Sequence, residues 1–128
     1  MRVTIASMLF LAGLSQFAQA DDILAAGLLY GGPDQAAAAC AFYNAGTTAV
    51  TVKKSKIVDQ TGAKPSQNNS CNDDPPLAAG RGCTITAQIG TGSGYSCRAV
   101  VSPNKKNARG VLTIFNGSTD PLVSMELR

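Results

Sequence analysis

Asn44-Ala45-Gly46-Thr47-Thr48-Ala49-Val50-Thr51-Val52 and Leu77-Ala78-Ala79-Gly80-Arg81-Gly82-Cys83-Thr84-Ile85-Thr86 are the two stretches that decide the fold. Each begins with turn chemistry and runs into alternating residues. Asn44 and Gly46 suit the positive φ of a tight hairpin, and Gly80 suits a turn before a strand. Val50 and Val52 alternate with Thr51 and Lys53, while Cys83, Ile85, Ala87 and Ile89 alternate with Thr84, Thr86 and Gln88. A period of two with one apolar face is the pattern of a half-buried strand, so the apolar set faces the core.

The same alternation extends outward along the chain. Ile57 has the wrong parity to continue the Val50–Val52 face, which predicts a bulge or kink near Lys54-Ser55. Tyr95 to Ser102, Arg109 to Asn116 and Leu122 to Leu127 read as further strands. Ile23 to Tyr30 and Ala36 to Tyr43 are apolar enough for helix or strand, but the turn residues Gly31-Gly32-Pro33-Asp34 and Asn44-Ala45-Gly46 favour strands. Gln60 to Pro76, rich in Gly, Pro, Asn, Asp and Ser, reads as loop. Gly90-Thr91-Gly92-Ser93-Gly94 reads as a turn with little side chain to constrain it. Seven short strands separated by turns predict an all-β chain, an immunoglobulin-like β-sandwich of about seven antiparallel strands in two packed sheets. There is no internal repeat and no domain boundary.

Residues 1–20 read as a cleaved signal peptide. Arg2 supplies the positive start, Ile5 to Phe17 the apolar stretch, and Ala18-Gln19-Ala20 the small-residue cleavage site. Residues 21–128 are then the single folded domain, periplasmic or secreted. No cysteine precedes Cys40, which excludes a lipid anchor at the cleavage site, and no later run is long enough to anchor the chain in a membrane. Arg2 is the one charged residue of 1–20, so its loss takes the formal net charge from +3 to +2. So mild a charge implies no nucleic-acid partner. Cys40, Cys71, Cys83 and Cys97 in an exported domain read as two disulfides, for which three pairings exist.

Asn44, Gly46, Thr47, Val50 to Val52, Cys71, Leu77, Ala78, Gly80, Cys83 to Thr86, and Arg109, Gly110, Leu112, Thr113 and Ile114 follow an ordered pattern. In that order and spacing the chain resembles the bacterial immunoglobulin-like modules related to the ASH and choice-of-anchor D domains, over roughly Cys40 to Asn116. It also resembles small exported single-domain bacterial proteins with a Glu-Leu-Arg tail, here Glu126-Leu127-Arg128. The resemblance implies a Cys71–Cys83 bridge, which for a loop of this size removes roughly 3 kcal/mol of denatured-state entropy in the chain-entropy model. Cys40 and Cys97 are left to pair, each in mid-strand. Two cysteines facing inward from opposite sheets form the immunoglobulin arrangement, here without the usual Trp, since the chain has none.

Composition argues against catalysis. The chain has no histidine, so the commonest general base and metal ligand are missing, and no Cys-x-x-Cys pair offers thiol exchange. Asp59, Asp73, Asp74 and Glu126 form no pair that spacing places in one cleft, and Asp73-Asp74 lacks the ligand spacing of a calcium loop. Gly90 to Gly94 is not followed by the Lys of a phosphate loop. The expectation is therefore a chain that is not an enzyme and uses no cofactor or metal. Lys53, Lys54 and Lys56 on one strand, with Lys105, Lys106 and Arg109 before another, are the candidates for binding an anionic ligand. Lysines at loops and edges also serve to discourage strand pairing. Tyr30, Phe42, Tyr43, Tyr95 and Phe115 are too scattered to form a sugar-stacking platform. The functional expectation is a non-catalytic exported module that contacts an unidentified protein through a sheet edge or the end loops. The alternative is a binder of carbohydrate or an anionic envelope polymer through the basic loops.

Overall fold

In the computed structural model, which describes residues 21–72, 75–117 and 119–128, the predicted alternation becomes two antiparallel sheets. The expected leader and the Asp73-Asp74 pair lie outside the described residues. The strands are β1 Asp22–Ala25, β2 Gln35–Asn44, β3 Thr51–Asp59, β4 Gly62–Ala63, β5 Asn68–Asn69, β6 Gly82–Gln88, β7 Ser96–Ser102, β8 Ala108–Asn116 and β9 Pro121–Leu127. One sheet has the order β1-β7-β3-β4 and the other β5-β6-β2-β8-β9. The count is nine rather than seven because the 60–76 loop contributes β4 and β5, two-residue strands too short to carry an alternating pattern. The predicted first strand also breaks. Ala26 N–H donates to the Cys97 carbonyl, but the next pairing joins Leu29 to Tyr95, leaving one extra residue around Gly27.

Both predicted core faces are in place except at Ile89, which lies past the end of β6 and is only partly buried. Val50, Val52, Cys83, Ile85 and Ala87 are buried, and Cys40, Ile57, Cys97, Ala99, Leu112 and Ile114 are sealed from solvent at the centre. The β3 irregularity falls where parity required it: the β3–β7 register shifts between Lys53 and Lys56, and Lys54 sits at φ 49°. That shift drops Ile57 into the core.

The disulfides are Cys40–Cys97 and Cys71–Cys83, with Cα–Cα distances of 5.9 and 5.0 Å. The first ties β2 to β7 across the sandwich, as the bridge between the second and sixth strands does in immunoglobulin domains. The outer strands depart from the constant-domain plan. There the first strand flanks the second and the last flanks the sixth; here β1 lies beside β7 and β8 beside β2. β9 then extends the larger sheet, and Ala25 and Arg128 exchange backbone hydrogen bonds of 3.1 and 2.9 Å that close that corner of the sandwich.

Two buried amides fix the ends of β2. Asn44 Oδ1 accepts from the Gly46 N–H, and its Nδ2 donates to the carbonyls of Thr48 and Leu77, both at 2.8 Å. Neither Asn44 nor Gly46 has a positive φ, and the turn between them is not a hairpin, because β2 and β3 belong to different sheets. Gly46 is required instead for space, since a Cβ there would collide with the Asn107 side chain. Gly80, by contrast, does adopt φ +75° before β6. At the other end, a register shift between Gln35 and Ala37 accompanies the burial of Gln35. Its Oε1 accepts from Gly31 N–H, while Nε2 donates to the carbonyls of Gly90 and Ser93 at 2.6 and 2.7 Å. The glycine-rich 90–94 turn is thus held from outside, with Tyr95 Oη accepting from Gly90 N–H and Tyr30 Oη donating to the Thr91 carbonyl.

The disulfides enclose chain segments of very different length, with separations of 57 and 12 residues. Cys40→Ala with Cys97→Ala is expected to lower the unfolding free energy by about 4 kcal/mol, and Cys71→Ala with Cys83→Ala by about 3 kcal/mol. Urea denaturation of the two double variants checks this, and a larger loss for the 71/83 pair would contradict it.

Candidate binding surfaces

The basic candidates divide into two groups. Lys53 and Lys56 point outward from β3, where they lie opposite Val100 and Arg98 of β7. Arg98 is exposed and was not singled out from the sequence, because a lone arginine in an alternating strand reads as an ordinary solvent-facing position. Across β7, Ile23 and Ala25 of β1 occupy the same two rows. The outer face of the smaller sheet therefore carries Ile23–Val100–Lys53 in one row and Ala25–Arg98–Lys56 in the next. Lys54 is exposed at the bulge between them.

Lys105, Lys106 and Arg109 form the second group, around the 3-10 turn Lys105–Asn107. This group is more fully engaged. The Arg109 guanidinium donates to the carbonyls of Lys106 and Ala108, and Lys105 N–H donates to Asp22 Oδ2. All three residues border a shallow groove that also holds Glu126 and Arg128, so a carboxylate sits among the cations. Asp21 and Asp22 connect the groups, since Lys53 Nζ lies 3.4 Å from Asp21 Oδ1. That pair is about half exposed and worth little in water.

A bulge that re-aims three lysines must itself be held. Ser55, buried at its centre, donates its N–H to Asn72 Oδ1 at 2.9 Å and its hydroxyl to the same oxygen at 2.8 Å. Asn69 Oδ1 in turn accepts from the Cys71 and Asn72 N–H groups. The Cys71–Cys83 bridge keeps this loop against β6, so the staple and the bulge form one unit.

Two further surfaces are defined by the larger sheet. On its outer face a groove of about 460 Å³ is floored by Ala37 and Ala39 and flanked by Thr86, Gln88 and Phe115, with no charged residue in its lining. At its edge, β9 is a seven-residue strand whose one sheet neighbour among the described residues is β8. Arg128 turns its backbone groups toward Ala25 rather than toward β8. Backbone direction alternates along a strand, so Glu126 and Ser124 also turn theirs away from β8.

Among the described residues, no three His, Cys, Asp or Glu side chains gather in a metal-binding cluster. Asp59, noted from the sequence as an isolated carboxylate, closes the β3–β4 hairpin. Its Oδ1 accepts from Thr61 Oγ1 and the Thr61 and Gly62 N–H groups, and its Oδ2 pairs with Lys64. Lys64 and then Thr61 hold its pKa down from the ordinary 3.8 to about 2. In comparisons with protein-family models, with curated proteins and with solved structures, nothing matched the chain.

Because the folded-state pKa of Asp59 is depressed, the stability it supplies is full above the unfolded-state value near 3.8 and is lost as the pH falls toward about 2. Asp59→Asn is expected to be less stable than the parent at neutral pH, with the gap closing as the solution is acidified through that window. Chemical denaturation of both proteins at a series of pH values checks this, and a gap of constant size would refute it.

Proposed function

We propose that this chain is a non-catalytic exported module of the bacterial envelope, periplasmic or secreted, that contacts another protein. Its two disulfides mark an oxidising, extracytoplasmic compartment, and the resemblance to bacterial immunoglobulin-like modules agrees with the periplasmic or secreted reading. The observation that carries the proposal is the open edge of β9. An edge strand presents unpaired N–H and C=O groups that an extended segment of a partner can complete, the mode known as β-augmentation. Folded proteins normally blunt such an edge with lysine, an interior proline, a bulge or shortness. β9 is seven residues long, and its proline and its register irregularity are confined to its start, where Phe115 pairs with Pro121 but Ile114 with Val123; from Val123 to Leu127 the strand runs regularly, with Glu126 its one charged side chain. Leu122, the second residue of the strand, is 38% exposed. The remaining edges offer less: β4 and β5 have two residues each, β1 has four, and the part of β3 that β4 leaves uncovered carries three lysines and a bulge.

Ser124 supplies the test, because its N–H faces away from β8 and can be removed without cutting a β8–β9 hydrogen bond. Ser124→Pro is expected to abolish a protein adduct trapped by cross-linking in cells while leaving the unfolding transition nearly unchanged. Ser124→Ala removes only the hydroxyl that bonds Thr113 and should retain the adduct. Survival of the adduct in the proline variant would reject the proposal.

A further inference from the structure

We propose that the outer face of the β1-β7-β3-β4 sheet is a peripheral docking surface for an anionic lipid bilayer. Two independent features single it out. First, Lys56 and Arg98 stand directly opposite one another on neighbouring strands. Like charges in that position destabilise a sheet. The ion pairs among the described residues are Lys53–Asp21 and Lys64–Asp59, so among those residues neither Lys56 nor Arg98 is paired with a carboxylate. Second, Lys54, at the bulge between the Lys53 and Lys56 rows, holds a left-handed backbone, φ 49°, which costs a non-glycine residue free energy. Glycine would relieve the strain, yet the position carries a cation. Both costs fall on one surface and both keep positive charge there, an arrangement that a negatively charged partner would offset.

The neighbouring residues indicate a bilayer rather than a polymer strand. Ile23 lies in the same cross-strand row as Val100 and Lys53 and is 45% exposed, so an apolar side chain stands level with the cations. A sheet of anionic headgroups takes up the charges and admits the isoleucine at its boundary. With four cations and little apolar area, the attachment is electrostatic and reversible by salt. The second basic group contributes less, because Arg109 is bound to its own backbone and Glu126 lies among the rest.

The disulfide-bonded protein is to be tested by sedimentation with phosphatidylglycerol-containing vesicles against vesicles of phosphatidylcholine alone. The expected result is binding to the first only, lost at high salt. Arg98→Glu would place a carboxylate opposite Lys56, so it should raise the melting temperature while lowering vesicle affinity roughly tenfold or more. Lys56→Gln, which removes one charge and keeps the chain length, should lower affinity about fivefold. Equal binding to neutral vesicles, unchanged affinity in both variants, or capture by soluble heparin without vesicle binding would each overturn the proposal.

Discussion

The rest of the structure depends on how β2 is held. Cys40, near the middle of that strand, is bonded to Cys97 in the facing sheet, which fixes the spacing of the two layers at one covalent point. Gln35 and Asn44 then fix the ends, each with its amide buried and its hydrogen bonds divided between the adjacent turn and a loop from a distant part of the chain. A buried amide left unpaired would cost about 1–3 kcal/mol, so each side chain constrains the loops it serves as firmly as they constrain it. The two long neighbours of β2, β6 and β8, inherit their positions from this strand, and the core residues of both follow from its register.

A second dependency runs through the smaller sheet. The Cys71–Cys83 bridge holds a loop whose Asn69 and Asn72 reach Ser55, and Ser55 is the buried residue of the β3 bulge. Strain at Lys54 persists because these contacts over-determine the local backbone. What looks in sequence like a staple on a polar loop therefore decides which lysines face outward and which residue, Ile57, faces in.

How much of this was legible in the sequence varied with the kind of signal. Strands with clean alternation, such as Cys83 to Ile89, were readable because burial of one face leaves a period of two. The bulge at Lys54-Ser55 was readable for the same reason, as a break in parity at Ile57. Asn44 was recognised as a turn residue but for the wrong cause. Its work is done by a side chain reaching Leu77, a contact across 33 positions that no local rule encodes. Gln35 left no trace at all, since a glutamine at a strand start carries no preference for burial. Arg98 became a candidate only once register placed it against Lys56. The exchange of positions between β1 and β8 was also hidden, because strand composition does not specify which neighbour a strand selects.

The disulfides are nested, with Cys71–Cys83 lying wholly inside the loop closed by Cys40–Cys97. A chain that enters an oxidising compartment from its N-terminus presents Cys40 first and Cys71 second, and these two are not partners. Cys40 must wait, reduced or wrongly joined, until Cys97 has crossed, whereas the inner bridge can close as soon as Cys83 arrives. Correct oxidation is thus ordered from the inside outward. For a chain oxidised in that order, completing the sandwich takes either delay or disulfide exchange.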